Sequence, residues 1–120
     1  MDMVELEDIR IGNYFAHQQK VITISAEHYQ RISILAAELE PLRLIPQKFF
    51  SLGFGTIRAQ DFNGFTKSCN NVEVFLRAAP QQRWTLQVGN TLRVRSIEHV
   101  HELQNVWYWL FGESLKRARD

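Results

Sequence analysis

The chain has 120 residues, 45% hydrophobic and 22% charged, with a net charge of +1. That is the length and composition of one soluble globular domain (1–120, core about 6–115), and it excludes disordered and collagen-like classes. No apolar run approaches the ~18 residues of a membrane span. Met1-Asp2-Met3-Val4-Glu5 lacks the basic and apolar regions of a signal peptide, and the single Cys69 excludes an internal disulfide and suits a reducing cytoplasm.

In chain order, Ile9 to Phe15 and Val21 to Ile24 read as two short strands around the polar turn His17-Gln18-Gln19-Lys20, with Gly12-Asn13 a bend into the first. From Ala26 to Glu40 the signal is mixed. Ile32, Leu35, Ala36 and Leu39 have helical spacing, whereas Ile32-Ser33-Ile34-Leu35 also reads as a strand; helix is preferred, ending at Pro41. Pro46 suits the first position of a short helix with Phe49, Phe50 and Leu52 inward and Gly53 closing it. Phe54 to Phe65 reads as irregular, with Asp61-Phe62-Asn63-Gly64 a turn.

The sheet signal is clearest afterwards. Val72, Val74 and Leu76 alternate with Glu73, Phe75 and Arg77, Trp84, Leu86 and Val88 with Thr85 and Gln87, then Leu92 and Val94 with Arg93 and Arg95. A two-residue loop at Gly89-Asn90 would pair Leu86 with Arg93 and mix the faces. A three-residue loop pairs Val88 with Leu92, Leu86 with Val94 and Gln87 with Arg93, which keeps them pure.

The last long stretch, Ser96 to Phe111, has no proline or glycine and stops at Gly112, so it reads as one helix. At about 100° per residue, Ile97, Val100, Leu103, Val106, Trp107, Leu110 and Phe111 fill an arc of roughly 200°, wider than the stripe of a surface helix. Gln104 falls inside that arc, while Trp109 falls outside it among Glu98, Glu102 and Asn105. The fold expected is α+β: an antiparallel sheet of about five strands packed on the C-terminal helix, with one or two short helices before it.

Three landmarks stand out: the opening Ile9-Arg10-Ile11-Gly12-Asn13-Tyr14, a middle from Leu44 to Phe54 ending in Leu-Gly-Phe, and the close His99-Val100-His101-Glu102-Leu103-Gln104-Asn105 leading to Gly112-Glu113-Ser114-Leu115. In them, over about a third of its length, the chain resembles a set of small proteins frequent in Bacteroidota genomes and their phages and mobile elements. It departs from their pattern at Ile45, where a Thr or Ser cap is usual, at Lys48 for a Trp and at Phe111 for a small Thr. The resemblance implies a soluble α+β domain and carries no activity with it.

No catalytic motif, phosphate-cradling glycine loop, carboxylate pair or metal-ligand spacing is found, so an enzyme is not expected and no cofactor or metal is assigned. His99 and His101, two apart on a helix, would point apart. Gln104 and His101, with Asn105, are expected to satisfy buried backbone where the helix meets the sheet. Trp109, with Glu102 and Asn105, is the candidate protein contact, because an exposed indole on a polar helix face suits an interface. Its competitor is coverage by Met1 to Leu6. Phe75, Arg77, Gln87, Arg93 and Arg95 are the ingredients of a single-strand nucleic-acid face or of an ordinary solvated one. Net charge argues little for the former: residues 58–95 hold six basic and two acidic side chains, and the pI is about 8.0, below the ~9 usual for such domains. The function expected is therefore non-enzymatic protein binding, to an unknown partner or as a homodimer, in an accessory protein of a phage or mobile element. A small nucleic-acid-binding module is the alternative.

Overall fold

The computed structural model describes residues 8–59, 62–89 and 92–117, with side chains throughout except at 58–59, 62–63 and 92–96. These residues gather into two compact units. The terminal unit takes the chain up to Arg43 and again over His99–Lys116; the middle unit takes Leu44–Glu98 together with Arg117.

The terminal unit holds a three-stranded antiparallel sheet of order β2-β1-β3, from β1 (Tyr14–His17), β2 (Lys20–Thr23) and β3 (Glu40–Pro41). β1 and β2 form a hairpin over the two-residue turn Gln18-Gln19, both with positive φ, as twisted two-residue hairpins require. Between β2 and β3 the chain is helical, in short turns: α1 (Ala26–Tyr29), α2 (Ile32–Leu35) and a 3-10 turn over Ala36–Glu38. The helical spacing there thus prevails over the strand-like run. Ile9, Phe15, Ile24 and Leu39 form a buried cluster against which Ile22, Ile32, Leu35 and Ala36 pack.

α4 (Val100–Phe111) completes this unit and contacts β1. It ends as expected, with Gly112 left-handed at φ 71° and donating to Tyr108 O at 2.8 Å. It starts four residues later than the sequence suggests. Ile97 is a strand residue paired with Trp84, so its place in the apolar arc was fortuitous. His99 caps the helix in an extended conformation, and Glu102 Oε1 accepts its backbone N–H at 2.9 Å. Because His99 stands outside the helix, its ring does not diverge from that of His101. The two stack at 5.7 Å.

The middle unit begins with α3 (Pro46–Ser51), with Pro46 in the first turn and an uncapped Ile45 before it. Phe49 and Leu52 are buried, but Phe50 is 52% exposed and does not join the inner face. A five-stranded antiparallel meander follows: β4 (Gly55–Ala59), β5 (Phe62–Cys69), β6 (Val72–Ala79), β7 (Arg83–Val88) and β8 (Leu92–Ile97). The single sheet expected is therefore two sheets, with the first hairpin in the terminal unit. The stretch read as irregular is the β4–β5 hairpin, with Ala59 paired to Phe62. The β7–β8 register is the one that keeps the faces pure: Val88 with Leu92, Leu86 with Val94 and Gln87 with Arg93. A bulge between Trp84 and Leu86 then brings Ile97 opposite Trp84. The core is aromatic. Phe49 stacks on Phe65 at 4.4 Å and meets Trp84 edge-on at 4.7 Å, and the Trp84 indole donates to Leu44 O at 2.8 Å.

Among the described residues no helix is long and apolar enough to cross a membrane, and no three His, Cys, Asp or Glu are grouped to hold a metal ion.

Candidate functional site

The site lies in the terminal unit and begins with a tight turn. Asn13 N donates to Arg10 O at 3.0 Å, and Asn13 Oδ1 accepts from Arg10 N at 2.7 Å, so residues 10–13 close on themselves. Such a turn needs positive φ at its third residue, and Gly12 supplies it at 98°. Gly12 N then donates to Ile24 O and Ile24 N to Asn13 O, both at 2.8 Å, fixing the turn to the end of the β1–β2 hairpin.

Gln104, on α4, joins this turn to the far end of the chain. Its Oε1 accepts from Tyr14 N at 2.9 Å and from Asn13 Nδ2 at 3.4 Å; its Nε2 donates to Gly12 O and to Leu115 O, both at 3.0 Å. Two donors and two acceptor sites are all an amide has, and every one is used. The residue is 5% exposed, so a polar side chain inside an apolar arc is stable because its partners replace water completely. The next residue, Asn105, accepts from Asn13 Nδ2 at 3.0 Å and donates to Asp8 O at 2.7 Å. Asn105 is thus a half-buried member of this network.

His101 is equally buried but differs from what the sequence suggested. It satisfies no backbone group through Nδ1, which is without a partner, and its ring packs on Phe15 at 4.7 Å. Burial holds its pKa down at about 4, from 6.5; neighbouring Glu102 raises it and His99 lowers it further. The unfolded chain therefore binds a proton below pH 6.5 that the folded chain refuses until about 4, and stability should fall as pH drops through that window. Chemical denaturation between pH 7 and 4 should show this slope flattened in His101→Phe. Parallel slopes in the two proteins would place the His101 ring in a solvated setting.

Above the network opens a cavity of about 300 Å³. The turn contributes Arg10, Ile11, Gly12 and Asn13, and α4 contributes Gln104, Asn105 and Tyr108. Ser114 and Leu115 from beyond the helix and Tyr29 from α1 complete its wall. The Arg10 guanidinium lies 4.3 Å from the centre of the Tyr108 ring, a cation–π contact, and the Tyr29 hydroxyl donates to Ile9 O. Arg10, Asn13, Tyr29, Tyr108 and Ser114 were not singled out from the sequence as site residues. The one available signal was that the opening landmark and the close both hold amides, here bonded to each other.

The other residues marked beforehand are distributed elsewhere. Trp109 is 74% exposed on α4, next to Tyr108; Met1 to Leu6 lie outside the described residues. Glu102 is engaged in capping α4, 3.1 Å from His99 Nδ1. In the middle unit Phe75 pairs across strands with Gln87, Phe75 is half-buried, Arg77 is exposed, and the Gln87 amide donates to Gly89 O at 2.8 Å. Arg93 lies opposite Gln87, but the side chains of Arg93 and Arg95 are outside the described residues.

No family model, curated protein or solved structure matches the chain.

Proposed function

We propose that the protein is a non-enzymatic interaction protein that presents the indole of Trp109 to another protein chain, in the first instance a second copy of itself. The observation that carries this reading is the 74% exposure of Trp109 on α4, a large apolar side chain that the fold could have buried and does not. Tyr108, beside it, is also exposed, and so is Ile11 on the turn, both of which line the cavity. Indoles and phenols are favoured interface anchors because they bury much area at little entropic cost. Symmetric dimers, which use one patch twice, are the commonest soluble assemblies. The resemblance to proteins of Bacteroidota phages and mobile elements suits an accessory role of this kind. Light scattering over a dilution series should find a dimer for the wild type and a monomer for Trp109→Glu with unchanged stability. A wild-type monomer at all concentrations would overturn the self-association.

One observation favours a second reading as a nucleic-acid module: Phe75, Gln87 and Arg93 stand in one cross-strand row, with Arg77 two residues beyond Phe75. It ranks second because Phe75 is half-buried and the Gln87 amide is already bonded. Labelled mixed-sequence RNA or DNA should therefore give no anisotropy change at low salt, where phosphate-driven binding is strongest. Binding that salt weakens and Arg77→Glu abolishes would put this reading first.

A further inference from the structure

We propose that the cavity over the Gln104 network is a binding site for a small organic oxyanion, a carboxylate or phosphate group borne on a single flat ring. The charge of its wall is the first argument. Among the described residues, Arg10 is the only charged side chain that lines it, no acid lines it, and no carboxylate pairs with that guanidinium. The Arg10 guanidinium instead lies over the Tyr108 ring, 4.3 Å from its centre. The planar N–H fork of a guanidinium matches a carboxylate or phosphate in two parallel bonds.

The remaining polar groups point the same way. The second N–H of Asn105 Nδ2 is unused by its bond to Asp8 O, and the hydroxyls of Ser114 and Tyr108 can donate. Three oxygens of the lining residues already accept bonds: Gly12 O and Leu115 O each take an N–H group of Gln104, and Asn105 Oδ1 takes one from Asn13. The network below the cavity thus leaves donors in excess at its wall. The ring is argued from shape and surface. Tyr29, Ile11 and Leu115 supply aromatic and aliphatic wall, and about 300 Å³ is at the small end of ligand pockets. This inference does not depend on Trp109, which does not line the cavity.

The test uses the full chain labelled with ¹⁵N, titrated with benzoate, phenyl phosphate and benzylamine at constant ionic strength. Benzoate or phenyl phosphate should shift the amides of Gly12, Asn13 and Ser114 and the side-chain amide of Asn105, while benzylamine leaves them in place. The tighter of the two anions assigns the oxyanion. Arg10→Gln, whose backbone bonds in the turn are retained, should weaken binding roughly tenfold, as loss of a charged hydrogen-bonding pair does. Ser114→Ala, a milder change on an exposed residue, should weaken it less. Absent shifts, equal shifts with benzylamine, or unchanged affinity in Arg10→Gln would each overturn the proposal.

Discussion

Trp107→Ala should lower the stability of the protein by about 3–5 kcal/mol, the usual result of truncating a large aromatic in a core. The indole is 1% exposed and packs on Phe111 at 4.8 Å, within the same α4 that carries the buried Val100 and Leu103. Nothing short of a bulky side chain can refill that space, so the cavity left behind adds to the lost transfer energy. Small domains have about 5–15 kcal/mol in total. With a urea dependence of about 2 kcal/mol per molar, the midpoint should fall by roughly 2 M. A midpoint that hardly moves would mean that α4 is not a core element of the terminal unit.

Gln104→Leu should cost about 3 kcal/mol although it makes the side chain more apolar. The leucine fits the arc, but Tyr14 N, Gly12 O and Leu115 O lose the Gln104 amide together, while Asn13 Nδ2 keeps its bond to Asn105 Oδ1. Stranding one buried polar group costs about 1–3 kcal/mol. Gln104→Glu separates this from a packing effect. It keeps the shape but turns the donating end into an acceptor facing two carbonyl oxygens. Its carboxyl is favoured protonated in the folded state, so relative to wild type it should regain stability as pH is lowered. A neutral Gln104→Leu would contradict the bonding pattern.

The parts of this fold legible in the sequence are those where a local rule and the tertiary structure agree. Gly112 ends α4 because a left-handed residue is needed there, and Pro46 opens α3 because its missing N–H costs nothing at that position. The β7–β8 register followed from keeping apolar and polar faces apart. Where the reading failed, long-range pairing decides. Gly55 and Gly64, with few aliphatic residues nearby, give β4 and β5 a weak local signal, and their ladder comes from β6, which β5 joins over six paired positions. Ile97 fits the helical arc and falls out of phase with Leu92 and Val94, and only the bulge opposite Trp84 and Leu86 brings it into the strand pairing. Glu102, three residues after His99, was the discriminating mark of the helix start, obscured by a histidine in a place where Ser, Thr, Asn or Asp is usual.

The candidate site was legible only in half. Gln104 was recognisable as a polar residue at an apolar position, but its partners are not: Asn13 looks like an ordinary bend residue, 91 positions away. Tyr14 and Leu115 contribute backbone groups, which a sequence does not mark. The opening segment Ile9 to Tyr14 and the closing segments His99 to Asn105 and Gly112 to Leu115 contribute to this network and its cavity, whereas the middle segment Leu44 to Phe54 belongs to the middle unit. Trp109 was correctly placed on the exposed face, whereas Asn105 and Glu102, chosen with it, are engaged within the terminal unit.

Gln104 joins the segment around Gly12–Tyr14 to Leu115 in the unit that bears the candidate site. Hydrogen exchange at the Tyr14 amide tests it directly, because that N–H donates to a side chain 90 residues away. Tyr14 should exchange as slowly as the protected amides of the five-stranded sheet in wild type, and far faster in Gln104→Leu, since exchange then needs only local opening. Rapid exchange of Tyr14 in the wild-type protein, or equal rates in the two, would contradict the account.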